Sequence, residues 1–219
     1  RFLIFSHKNH MEFAAKALRE LQVLSLKTHQ ELIKKTNSKN NISKPGWLKL
    51  FKTINSYKKY YLELDVLNKN KAEYTILDTE QIKKQFPDLE ESFFKGVLFK
   101  NSLRVKSPLA LSKKYFNYFT NSGGRYLKEE CKDLNYKKCR WSINFNKQNL
   151  NFDEVVVAAG PWSKKLLFSL GYDIPLAWER GYHHHFSIKK KTNINPAIHD
   201  IEGGFVFSSN GSEIRVTSG

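Results

Sequence analysis

The sequence predicts an α/β protein, on three observations. An unbroken run of β-branched and small apolar residues, Val155 to Ala159, is followed by Gly160 and a short helical pattern. The last quarter of the chain reads as a series of strands, the last two joined in a hairpin around Ser209-Asn210-Gly211. Earlier stretches carry apolar residues at the 3.6-residue period of amphipathic helices. With 219 residues, 40% hydrophobic and 26% charged, the chain can form a substantial core, or one domain and part of another.

Taken in order, His10 to Thr36 predicts a long helix with Ala14, Ala17, Leu18, Leu21, Leu24 and Leu32 on one buried stripe. The polar run Asn37 to Lys44 is a loop, and Pro45-Gly46 turns the chain into a strand at Trp47–Phe51. A helix is expected over Lys52 to Asn70, with Tyr57, Tyr60, Tyr61, Leu64 and Leu67 facing inward. Tyr74 to Leu77 reads as a strand, after which Asp78 or Thr79 caps a short helix that Pro87 ends. Ser107-Pro108 is an N-cap and first turn, and the next helix turns Leu111, Tyr115, Phe116 and Phe119 inward before Gly123-Gly124. Arg125 to Cys131 is expected to be a strand. Trp141, Ile143 and Phe145, then Leu150 and Phe152, alternate as a hairpin.

The segment from Phe152 to His185 organises the rest. Val155 to Ala159 reads as a strand buried on both faces, because nothing alternates. Gly160 ends it, Pro161 supplies a helix-compatible φ, Ser163 can cap, and Leu166, Leu167 and Leu170 space a helix that Gly171 stops. Such a junction lets a ligand approach the backbone and offers free N–H groups to an anion. On shape alone, a tight turn is the simpler reading of Gly160. Leu176 to Glu179 and Tyr182 to Ile188 are expected strands, and Phe205 to Ser208 pairs with Glu213 to Thr217 around Ser209-Asn210-Gly211.

The net charge is +16, from 37 basic against 21 acidic residues, which raises nucleic acid or an anionic membrane as a partner. The lysines are scattered, and no arginine cluster, aromatic RNA-binding pattern or zinc spacing accompanies them, so no specific nucleic-acid binding is expected. Cys131 and Cys139 match no zinc or redox spacing, and free thiols in a reducing compartment are the default. No apolar stretch approaches the length of a membrane span. The absence of an initiator methionine at Arg1, and the strand-like pattern interrupted at Gly219, read as a fragment.

The wording AAGPWS, a short helix, a glycine and then IPLAWERGYH closely resembles the FAD-dependent oxidoreductases of the D-amino-acid oxidase superfamily, with the D-amino-acid dehydrogenase small-subunit type nearest. The order LDTEQIKKQFPDL, KGVLF, NSLRVKSPLAL is similar to the same family, and the likeness is strongest after Ile76. It implies an FAD-binding, Rossmann-like domain interleaved with a substrate domain of antiparallel sheet. Residues 1–100 and 172–219 would form the substrate domain and 101–171 the FAD domain, both incomplete. One sheet taking strands from 74–100 and from 176–217 is the expected sign of this arrangement. The family's glycine-rich dinucleotide turn has no counterpart in the chain.

The resemblance further implies FAD contacts at Cys131, Ala159, Gly160, Trp162, Gly181 and Gly219. It places His183 at the substrate sheet near the isoalloxazine. Arg180 and Tyr182 suit a carboxylate, as a guanidinium fork and a phenol, although a salt bridge to Glu179 or Asp173 and a core tyrosine serve as well. No metal is expected from His183, His184 and His185, because successive strand residues alternate faces. The implied function is oxidation of an amino acid, of D configuration, by hydride transfer from the α-carbon to flavin N5. The electron acceptor would be oxygen or a respiratory chain, and the location cytoplasmic or peripheral at the inner membrane. A catalytically silent scaffold and a basic nucleic-acid binder remain the alternatives.

Overall fold

The computed structural model describes residues 7–146, 148–189, 192, 194–209 and 213–218. Its helices are α1 (Lys8–Lys35), α2 (Ile54–Lys59), α3 (Tyr61–Lys69), α4 (Thr79–Gln85), α5 (Pro108–Asn121) and α6 (Ser163–Phe168). The strands are β1 (Ile42–Ser43), β2 (Trp47–Phe51), β3 (Thr75–Asp78), β4 (Lys95–Phe99), β5 (Arg104–Val105), β6 (Cys131–Lys137), β7 (Arg140–Phe145), β8 (Asn149–Phe152), β9 (Tyr182–Ser187), β10 (Ala197–Asp200), β11 (Phe205–Ser209) and β12 (Glu213–Ser218). Two compact units divide the chain, one from residues 1–122 with 181–219 and the other from 123–180. The divisions fall at 122 and 180, against the expected 100 and 171, and α5 belongs to the first unit.

The first unit is built on a seven-stranded sheet in the order β3-β4-β2-β10-β11-β12-β9. Strands from 75–99 and from 182–218 therefore share one sheet, as the sequence led one to expect. One junction departs from the antiparallel expectation: β10 lies parallel to β2, pairing Ile198 with Leu48. A parallel neighbour requires a long crossover, and the chain between the two strands supplies it.

Directly paired residues share a face, so the register sorts the side chains. Leu48, Leu50, Leu98 and Ile198 cover one face and pack with Leu77, Ile82 and Phe86. On the other face Phe51 and Val97 are fully buried under Tyr60 and Leu64 of the α2–α3 region. Local signals set the helices. Thr53 caps α2 by accepting from the Ser56 amide. Asp78 and Gln81 form a reciprocal capping box at α4, and the Ser107 side chain caps α5.

Several expected burials fail. On α1 the stripe is open, with Leu18, Leu21 and Leu24 each more than half exposed and only Ile33 buried. Periodicity shows which face needs cover and not whether cover is present. What holds α1 is mainly polar: Lys69 pairs with Glu12 at 2.7 Å and His29 bonds Tyr115 at 3.1 Å. The expected single helix over 52–70 breaks at Tyr60, which shifts the phase and leaves Tyr61 70% exposed. Phe116 and Phe119 of α5 are likewise open, and Leu111 alone is buried.

The second unit is a three-stranded antiparallel sheet, β6-β7-β8, with α6 packed on β6. Its first strand begins at Cys131 rather than ending there. Val155 to Ala159 is not a strand: no partner strand lies beside it among the described residues, and Val156 is 88% exposed. An apolar run becomes a buried strand only between two paired neighbours. Leu176 to Glu179 is also irregular.

Candidate functional site

Within the second unit, β6 and the turn before α6 enclose a cavity of about 420 Å³ lined by Cys131, Ala159, Trp162, Leu166, Lys132 and Lys165, with Glu130. Three of the residues singled out as cofactor contacts thus meet at one place, although they lie up to thirty residues apart. Cys131 and Cys139 are unbridged. Partial burial raises the Cys131 thiol above its ordinary value, which keeps it neutral and apolar at pH 7. The hydrogen bond from Lys132 at 2.8 Å, with that lysine's charge, holds Glu130 below the usual carboxylate range.

Gly160 follows Ala159 at φ +56, and among the described residues, its chain neighbours aside, nothing lies within 4 Å of where its Cβ would be. The turn from Gly160 to Trp162 is a 3-10 helix, and α6 has six residues. Ser163 does not cap it; it is the first helical residue and is buried. Gly171, at φ +86, ends α6: its N–H donates to Phe168 and the next, from Tyr172, to Leu167, the two bonds of a glycine C-cap. Trp178, unremarked in the sequence, stands edge-on to Trp162 with ring centroids 4.7 Å apart.

In the first unit a second cavity, of about 560 Å³, opens over the β9–β11–β12 end of the sheet, lined among others by Trp47, Arg104, Lys106, His183, His185 and Arg215. The register explains the set. His185 lies opposite Arg215 and His183 opposite Thr217, and Thr217 in turn faces Val206. Tyr182 and His184 point to the other face, so Tyr182 and His183 do not meet in one cavity. His183 and His185 stack edge to face at 5.7 Å, and His185 Nδ1 bonds Glu213 at 3.2 Å. Among the described residues no group of three or more His, Cys, Asp or Glu side chains could hold a metal ion.

Arg180 closes the second unit and Tyr182 lies in the first. Asp173, offered as a partner for Arg180, instead pairs with Lys164 at 3.5 Å. Gly181 has open space beyond its Cα, and Gly219 lies outside the described residues. Arg104, which the sequence did not single out, joins the cavity over β9, β11 and β12 from β5.

The described residues thus form two compact α/β units, one of them with a mixed sheet and a cation-lined cavity. Residues 5–219 match the family model described as FAD dependent oxidoreductase, and the chain belongs to that family, whose cofactor is FAD. It is 29% identical over 108 residues to a D-amino-acid oxidase of Bradyrhizobium diazoefficiens, covering 49% of this chain and 26% of that protein. Glycine oxidase from Bacillus cereus shares the fold at TM-score 0.71 and 18% identity, over 93% of this chain and 55% of that one. L-Proline dehydrogenase from P. horikoshii does so at TM-score 0.68 and 18% identity, over 86% and 54%. The chain spans about half the length of these solved structures and about a quarter of the D-amino-acid oxidase. Among the described residues no helix is long and apolar enough to cross a membrane.

Proposed function

We propose that this chain carries the substrate part and the central cofactor part of an FAD-dependent enzyme that oxidises an amino acid, of D configuration, at its CH–NH₂ group. The observation that carries this reading is the meeting of Cys131, Ala159 and Trp162 around one cavity, in a chain that belongs to an FAD-dependent family. The residues fit the nucleotide portion of FAD: apolar walls, an exposed indole, and a backbone at Gly160 with space beyond it. FAD, when bound, accepts the hydride removed from the substrate Cα–H, and the imine product hydrolyses in water.

The protein's share is orientation and electrostatics. In the unit of residues 123–180, Cys131, Ala159, Gly160 and Trp162 would hold the cofactor. In the other unit, His183 and the cations of its sheet face would hold the substrate. Tyr182 leaves β9 on the face away from His183, so the substrate carboxylate is assigned to the cations beside His183 rather than to Tyr182 or Arg180. The test is to supply FAD to the full-length protein and add D- or L-amino acids without oxygen. Loss of the flavin's visible absorption with D-amino acids supports the reading; a protein that holds flavin and stays yellow with both enantiomers removes it.

A further inference from the structure

The cavity over β9, β11 and β12 carries three permanent cations, Arg104, Lys106 and Arg215, with His183 and His185, and no Asp or Glu lines it. The single carboxylate of β12, Glu213, is already engaged by His185. Arg104 is half-buried, and burial lowers its pKa; its guanidinium donates to the Asn195 carbonyl at 3.4 Å. Neither Arg104 nor Arg215 forms an ion pair among the described residues. The entry of α5, which borders the same cavity, has no acidic residue in its first turn to offset the partial positive charge of a helix start.

A neutral amino acid is a zwitterion and brings no net charge into this field. Its carboxylate occupies one guanidinium fork, while its ammonium is repelled by the remaining cations. The other arginine and Lys106 then stay uncompensated beside Trp47, Ala197 and Leu109. An acidic amino acid brings a net negative charge and a second planar acceptor. We propose that the cavity takes an amine bearing two carboxylates, an acidic amino acid, with Arg104 and Arg215 each binding one of them. This rests on the reading of the unit as the substrate part, and it adds the class of substrate.

Isothermal titration calorimetry of the full-length protein tests it with D-glutamate and its neutral isostere D-glutamine, and with glutarate, which has no amine to oxidise. Glutamate is expected to bind at least about tenfold more tightly than glutamine, as loss of one charge-assisted pair implies. In Arg215→Met, and separately in Arg104→Met, the ratio of the two affinities should fall to near one, with far-UV circular dichroism unchanged. Equal affinity for glutamate and glutamine in the wild type overturns the proposal, as does a ratio that neither substitution alters. Arg215-dependent glutarate binding by a protein whose flavin no amino acid reduces would uphold the dicarboxylate site and remove the oxidase reading. Flavin bleaching that is no better with glutamate than with glutamine would do the reverse.

Discussion

One face of the seven-stranded sheet has two unlike ends. Over β2 and β4 it is sealed: Phe51 and Val97 have no exposure, and Tyr60 and Leu64 close over them. Over β9 and β12 the same face is open, and the side chains are His183, His185 and Arg215 rather than aliphatic ones. The sealed end contributes stability and the open end is where recognition is proposed, and substitutions should separate the two.

The largest effect is expected from Phe51→Ala, which empties a fully buried aromatic site and should destabilise the protein by about 3–5 kcal/mol in urea unfolding. Next is Asp200→Ala, at the end of β10 on the sheet's other face. Its buried carboxylate pairs with Lys52 at 3.1 Å and accepts from the Gly203 amide at 2.8 Å, and losing both should cost about 1–3 kcal/mol. Glu202→Ala should cost about 1 kcal/mol, because this carboxylate accepts from the Lys52 and Thr53 amides and from Ser56, completing the start of α2 from 150 residues away. At the open end, His183→Ala should change stability by less than about 0.5 kcal/mol while weakening the response to amino acids.

His199 sharpens the contrast through pH. Burial first, and then the charge of Lys49, lowers its pKa. A depressed histidine pKa favours the folded state above the ordinary histidine value, and this contribution is lost as pH falls through the folded value. Unfolding midpoints measured between pH 8 and pH 5 should therefore fall with acidity, and less steeply in His199→Gln. An identical slope in both proteins would assign the acid sensitivity elsewhere.

Strand signals were legible where partners exist. Trp47–Phe51 and Val155 to Ala159 are both apolar runs, and the second has the stronger β-branched character. The first lies between β4 and β10 and is buried; the second has no partner among the described residues and is open. Caps were local and therefore readable: Asp78, Ser107 and Gly171 do what their sequence neighbourhoods indicate. Of the proposed cofactor residues, Ala159 and Trp162 were legible through the wording of one segment and Cys131 through the wider resemblance, and the fold brings these three around one cavity. The meeting of Arg104 and Arg215 beside His183 was not legible, because it depends on the pairing of β9 with β12 and on the path of β5, which no local pattern encodes.

The most direct test of the cofactor assignment is bound flavin in Gly160→Val, beside Gly171→Val as a control. Both glycines have positive φ, and among the described residues, chain neighbours aside, no atom lies within 4 Å of either added Cβ, so both substitutions impose comparable backbone strain of about 1–3 kcal/mol. Only Gly160 adjoins the cavity of Cys131, Ala159 and Trp162. The full-length protein should retain FAD through gel filtration, as should Gly171→Val, while Gly160→Val loses most of it with far-UV circular dichroism near wild type. Equal flavin content in Gly160→Val and wild type, or none in the wild type, would contradict the assignment.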